Sequence, residues 1–253
     1  MTLKDKLRKG VPTIGTWITL AHPALAEMAT RAGFDWVAVD LEHSSITIRE
    51  CEDLIRVIDL AGGTPLVRLT ANDPDLIKRV MDSGARGIIV PSVSTEEEAQ
   101  LAVEAVYYPP KGRRGVGLAR AHGYGSDFNG YLERLEKEAV VVAMIETAQG
   151  VENAERILRT NGIDAYFLGP YDLSASLGVN GKTTHPKVEK AIGKVLKAAK
   201  RTGKPGGLHV VEPDPAALRQ RLKQGFRFIA YSLETRVYDA HMRLALKGLR
   251  KPR

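Results

Sequence analysis

The chain has 253 residues, 43% hydrophobic and 26% charged, the make-up of a globular protein with a sizeable core. Its 37 basic and 30 acidic side chains leave a net charge of +7, which favours anionic small molecules or nucleic acid. The basic residues are dispersed, however, aromatics are only 6%, and no binding module accompanies the charge, which excludes nucleic acid as the expected partner.

No apolar run reaches the ~18 residues of a membrane helix. The start, MTLKDKLRKG, lacks the apolar centre of a signal peptide. The single Cys51 rules out an internal disulfide and fits a reducing, cytoplasmic setting.

In chain order, the apolar runs are TIGTWI from Thr13, WVAVD from Trp36, TPLVRL from Thr64 and GIIVP from Gly87. They continue with VVVAMIE from Val140, AYFLG from Ala165, GGLHVV from Gly206 and FRFIAYS from Phe226. Most are rich in Val and Ile without strict alternation, as strands buried on both faces of a parallel sheet should be. Helical patterns separate them. ALAEMATRAG and SITIRECEDLIRVIDLAGG end on Gly, NDPDLIKRVMDSGA opens with Asn72, Asp73 and Pro74, and STEEEAQLAVEAV carries Ser94 or Thr95 as a cap.

About eight such units predict a single α/β domain over 1–253, a closed (β/α)₈ TIM barrel. An open doubly wound sheet is the alternative, but no Gly-rich dinucleotide fingerprint follows the first strand. The long stretch from Tyr107 to Glu138 interrupts the fourth and fifth units. Its Pro and Gly content predicts an ordered loop rather than a helix, functional or interfacial in role. Within it GRRGVG reads as a surface turn, with Arg120 a possible anion contact, and the tail KGLRKPR reads as a solvated C-terminus.

In such a barrel the chemistry sits at the C-terminal ends of the strands. Asp40 ends the second, with Glu42 and His43 just beyond, and Arg68 lies near the end of the third. Glu146 ends the fifth, the sixth leads into Asp172, the seventh contains His209, and the eighth runs into Ser232 and Glu234. Glu146 and Asp172 have two readings. Their carboxylates repel unless one is protonated, a conflict that a Mg²⁺ or Mn²⁺ ion removes. Alternatively they cap helices and complement the macrodipole.

Gly169 and Pro170 turn the backbone sharply, so the amides of Tyr171 and Asp172 could cradle an anion, or simply form a tight turn. Arg68 suits a substrate carboxylate or a developing enolate, or else a structural ion pair. His43 is the natural acid/base, with Asp40 placed to orient its ring. Glu42 is either a supporting group or a solvated charge. His209 and His122 are either mouth-lining or core residues. No zinc spacing is present.

GFDWVAVDLEHS, Arg68, the NDP at Asn72, YPPKGRRGVG from Tyr108, IETAQGVEN from Ile145 and GPYDLSASLG from Gly169 together resemble the HpcH/HpaI family of metal-dependent pyruvate aldolases, across nearly the whole chain. The resemblance implies a TIM barrel with an exchanged C-terminal helix, and a homo-oligomer built as a trimer of dimers. It implies reversible cleavage of a 4-hydroxy-2-oxo acid to pyruvate and an aldehyde, with Mg²⁺, Mn²⁺ or Co²⁺ as cofactor. Glu146 and Asp172 are then the metal ligands, and His43 with Asp40 the acid/base apparatus. Arg68 steadies the enolate oxygen, and the amides of Tyr171 and Asp172 bind the carboxylate. Two departures stand out: Met144 where the family usually has Gln, and SLET, with Glu234 in place of a shorter acid. The alternatives are a citrate-lyase-type or malyl-CoA-type lyase and a non-catalytic metabolite-binding barrel.

Overall fold

The computed structural model of the chain describes residues 1–247 and Leu249. Much of the basic tail KGLRKPR, namely Gly248 and 250–253, lies outside the described residues. Eight parallel strands close in sequence order: β1 (Thr13–Ile18), β2 (Trp36–Asp40), β3 (Pro65–Arg68), β4 (Gly87–Val90), β5 (Val140–Ile145), β6 (Ala165–Leu168), β7 (Gly206–Val210) and β8 (Phe228–Leu233). All eight expected runs form strands, and the closed barrel replaces the open-sheet alternative.

The period-two geometry of a strand explains why both faces are apolar. In β2, Trp36 and Ala38 join an inner cluster with Trp17, Phe167 and Phe228, whereas Val37 and Val39 pack outward against the helices. The Trp36 indole stacks on Phe228 with ring centres 4.3 Å apart. A Cβ on Gly15 would lie 1.9 Å from the Trp36 ring, so glycine is required there.

One end of the barrel is closed. The helix Leu3–Arg8, fixed by a Thr2–Asp5 capping box, inserts Leu3 and Leu7 into the inner cluster. Buried Lys4 Nζ donates to Tyr107 Oη (2.9 Å) and the Ala139 carbonyl (2.6 Å), with Asp164 at 3.5 Å. The plug leaves the opposite mouth, at the strand C-termini, as the open end.

The connecting helices begin where local chemistry directs. Thr47 and Thr95 form capping boxes with Glu50 and Glu98, and Asp73 caps the helix whose first residue is Pro74. The long stretch departs from the expected loop. Arg120–Gly125 forms 3₁₀ turns broken by a kink at His122, Gly123 and Tyr124, and Phe128–Glu138 is an α-helix capped by Asp127, with Tyr131 and Leu135 buried. The helix breakers end at Gly130, about three-quarters of the way along the stretch, while YLERLEKE beyond it has helical spacing and no Pro or Gly. Nor is GRRGVG wholly a surface turn. Arg114 is 3% exposed, pairs with Asp82 and donates to Tyr131 Oη at 2.8 Å. Arg120 pairs with Asp59 and the Ser83 carbonyl rather than facing an open anion site.

Candidate active site

The strand ends bring Asp40, Glu42, His43, Arg68, Glu146, Asp172 and His209 to the open mouth. Asp40 and Arg68 are register partners on β2 and β3. Arg68 grips Asp40 as a fork, Nε to Oδ1 at 2.8 Å and Nη2 to Oδ2 at 2.6 Å. Its guanidinium lies 4.5 Å from the Trp17 ring centre, a cation–π contact that fixes the plane of the fork. Nη1 lies 3.4 Å from Glu42 Oε2.

This pairing corrects the role expected of Asp40. Its carboxylate orients Arg68, not the His43 imidazole, and reaches His43 only by accepting from the backbone N–H groups of Glu42 (3.0 Å) and His43 (3.3 Å). The His43 ring is 60% exposed, and its Nε2 lies 3.7 Å from Glu42 Oε2. Glu42 is therefore not a solvated charge: Oε2 is buried without a hydrogen-bond partner, between Arg68 and His43.

Glu146 follows β5 directly and is 2% exposed. The helix-cap reading fails for it, because Thr147 caps the next helix through the Gly150 N–H. Glu146 Oε1 accepts from Ser92 N (2.7 Å) and Ser92 Oγ (3.2 Å), whereas Oε2 is buried and unpartnered. Ser92 holds a left-handed φ of 54° to make this contact, a strained geometry of the kind found at functional sites. Burial, with the charges of Glu42 and Asp172 adding to it, pushes Glu146 up to about 7. Burial likewise raises Glu42 to about 7, opposed by Arg68 and reinforced by Asp40 and Asp172.

Asp172 sits in the first turn of the helix Pro170–Ser176, where Gly169 is the N-cap and supplies no side-chain cap. Gly169 also lets the loop approach Glu146: a Cβ there would lie 2.3 Å from Glu146 Oε2. Gly169→Ala is expected to displace the Glu146 carboxylate and cut kcat/KM by at least about 10²-fold, the cost of a misplaced functional group. Steady-state kinetics with an unchanged far-UV spectrum checks it, and activity within about threefold of wild type would refute it.

A cavity of about 360 Å³ opens among these groups, lined by His43, Arg68, Gly169, Asp172, His209 and Arg221 among others. That is within the range of small-molecule sites. A larger cavity of about 440 Å³ lies among the helices, but no C-terminal strand residue lines it. Its Arg86 and Arg120 are spent on Asp59 and Glu138.

Among the described residues, no three or more His, Cys, Asp or Glu side chains close into a preformed metal cage. Glu146 and Asp172 offer a two-carboxylate, all-oxygen arrangement instead. The buried unpartnered oxygen of Glu146 fits a hard divalent cation that keeps other positions for water and substrate.

His209 lines the cavity, and its Nε2 lies 3.2 Å from the Ser232 carbonyl. Burial, aided by Arg68, pushes its pKa down to about 4. The folded state therefore excludes a proton that the unfolded chain accepts below about pH 6.5. Stability from this group is complete above pH 6.5 and is lost as the pH falls towards 4. Wild type should lose up to about 3 kcal/mol more than His209→Phe between pH 7 and pH 4, measured by urea unfolding. Parallel losses would contradict the assignment.

His122 does not reach the mouth. It is fully buried and holds the long stretch together, Nδ1 accepting from the Gly125 N–H and Nε2 donating to the Gly117 carbonyl. Glu234 stabilises the loop after β1: its Oε1 accepts from Thr19 N, Thr19 Oγ1 and Leu20 N at 2.6–2.7 Å. Buried Cys51, raised to about 12, is excluded as a nucleophile. Three contributors escaped the sequence reading: Trp17 beneath Arg68, Ser92 on Glu146 and Arg221 at the rim. An aromatic near the end of a strand was a usable signal for Trp17, whereas Ser92 and Arg221 carried none.

A closed parallel barrel with ionisable side chains gathered around a cavity at its strand C-termini defines a TIM-barrel enzyme. The family model described as HpcH/HpaI aldolase/citrate lyase matches residues 13–239, and the chain belongs to that family. Hydroxypyruvate/pyruvate aldolase of Roseobacter denitrificans is 37% identical, covering 92% of this chain and 91% of the relative. 2-Dehydro-3,6-dideoxy-6-sulfogluconate aldolase of Pseudomonas putida is 36% identical, with 97% of each chain covered. The crystal structure of a family member from Burkholderia cenocepacia superposes with a TM-score of 0.92 at 36% identity, covering 98% of this chain and 99% of that one.

Proposed function

We propose that the protein cleaves a 4-hydroxy-2-oxo acid reversibly to pyruvate and an aldehyde. The observation that carries this reading is the buried, unpartnered Glu146 oxygen, set against the Gly169 turn beside a cavity lined by Arg68, His43 and Asp172. Family membership and the aldolase relatives support it.

Glu146 and Asp172 would hold a divalent cation, Mg²⁺ or Mn²⁺ by the hardness of the donors. That ion supplies Lewis-acid stabilisation of negative charge developing on the pyruvate keto oxygen. The amides of Tyr171 and Asp172 bind the substrate carboxylate. As the C3–C4 bond breaks, its electron pair passes into the enolate, and Arg68, held in plane by Asp40 and Trp17, stabilises the enolate oxygen. His43 takes the C4 hydroxyl proton and the aldehyde departs; water then protonates C3 to give pyruvate and takes back the proton held by His43. In the synthetic direction His43 returns the proton.

The helix Glu234–Leu246 buries none of its residues and exposes Val237, Tyr238, Met242 and Leu244. This supports exchange of that helix with a second copy, and the trimer of dimers is what the family resemblance implies.

The test is incubation of pyruvate with a panel of aldehydes and Mg²⁺ or Mn²⁺, with chelator controls and product identification. Metal-dependent 4-hydroxy-2-oxo acids are expected. Cleavage of malyl-CoA with no aldol product would replace this reading by the thioester one.

A further inference from the structure

The catalytic groups come from the ends of β2, β3, β5 and β6, and the cavity carries two further polar features, from β7 and the helix after it, that the cleavage chemistry does not use. The first is His209. A carbonyl only accepts, so the contact with Ser232 O assigns the proton to Nε2. The ring is also kept neutral by burial, which leaves Nδ1 as a lone-pair acceptor. Nδ1 has no hydrogen bond to any described residue and is not among the buried unpartnered atoms, so it is open to the cavity that the ring lines. The edge-on Trp17 ring, 6.0 Å away, fixes the orientation of the imidazole.

The second is Arg221, on the helix Pro215–Lys223. It lines the same cavity and makes one hydrogen bond, to Gln224 Oε1 at 3.0 Å. No Asp or Glu among the described residues pairs with it. Arg68, the other guanidinium in the cavity, is held by Asp40 and committed to the enolate oxygen. Arg221 is thus the lining cation with charge left for a ligand, placed at the rim.

We infer that His209 and Arg221 form the aldehyde subsite, and that the enzyme takes a hydroxy-aldehyde ending in an anionic group. His209 accepts a hydrogen bond from the hydroxyl, and Arg221 pairs with the terminal carboxylate, sulfonate or phosphate. A site built to hydrogen-bond a hydroxyl rejects the deoxy analogue because its acceptor is left unpaired. The inference rests on the aldolase reading and names its substrate class.

The experiment measures kcat/KM for aldol addition of pyruvate to four aldehydes. Glyceraldehyde 3-phosphate has both features, glyceraldehyde lacks the anion, succinic semialdehyde lacks the hydroxyl, and butyraldehyde lacks both. Wild type should favour each feature by at least about 10-fold. Arg221→Gln should abolish the preference for the anion and keep that for the hydroxyl, and His209→Phe should do the reverse. Each preference is a ratio within one protein, so a general loss of activity cancels. Equal rates for all four aldehydes in wild type, or preferences that survive both substitutions, would overturn the inference and leave the aldolase reading standing. No addition of pyruvate to any aldehyde would overturn that reading, and this inference with it.

Discussion

Replacing Glu146 by Gln is expected to lower kcat/KM at least about 10³-fold, the several kcal/mol that a Lewis-acid site contributes. The isosteric amide keeps an acceptor for Ser92 and removes the charge. Without added metal the variant should be at least as stable as wild type, because the buried carboxylate is already costly to ionise. The two proteins should separate when Mn²⁺ and pyruvate are added. At about 100 times the dissociation constant, ligand binding stabilises wild type by about 2.7 kcal/mol, a rise in melting temperature of roughly 5–10 °C for a chain of this size. Glu146→Gln should show no such rise. An equal shift in both proteins would remove Glu146 from the metal site.

His43→Ala should fail differently. Loss of a general acid/base lowers kcat by about 10²–10⁴-fold. The ring is 60% exposed and anchors nothing in the core, so stability should change by no more than about 0.5 kcal/mol. Stabilisation by metal and pyruvate should persist, because Glu146, Asp172 and Arg68 are untouched. The two variants thus separate charge stabilisation from proton transfer. Near-normal cleavage by His43→Ala would move the base elsewhere, with Glu42, 3.7 Å from the ring, the next group to test.

The difficulty of reading Asp40 and Glu42 in advance has a physical origin. In WVAVDLEHS the three ionisable groups lie within four positions, so local logic ties Asp40 to His43. The barrel sets Asp40 opposite Arg68, 28 residues on, because β2 and β3 pair with those two in register. The fork geometry then makes the cross-strand pair stronger than a contact along the loop. The long stretch failed for another reason: averaging Pro and Gly over its whole length hid the helical spacing of its last third.

The sequence by itself determined the barrel, the order of its strands, the starts of the helices after β3 and β4, and the mouth at which the chemistry gathers. Those features rest on short-range physics: apolar runs that suit doubly buried strands, capping residues, and the Gly-Pro turn after β6. Only the tertiary structure decided which charges meet. It gave Asp40 to Arg68, left one oxygen of Glu146 unpartnered, set the Nε2 proton of His209 facing the Ser232 carbonyl, and brought Arg221 to the rim of the same cavity. Such contacts depend on strand register and loop path, and they join residues far apart in the chain, where neither spacing nor composition leaves a trace.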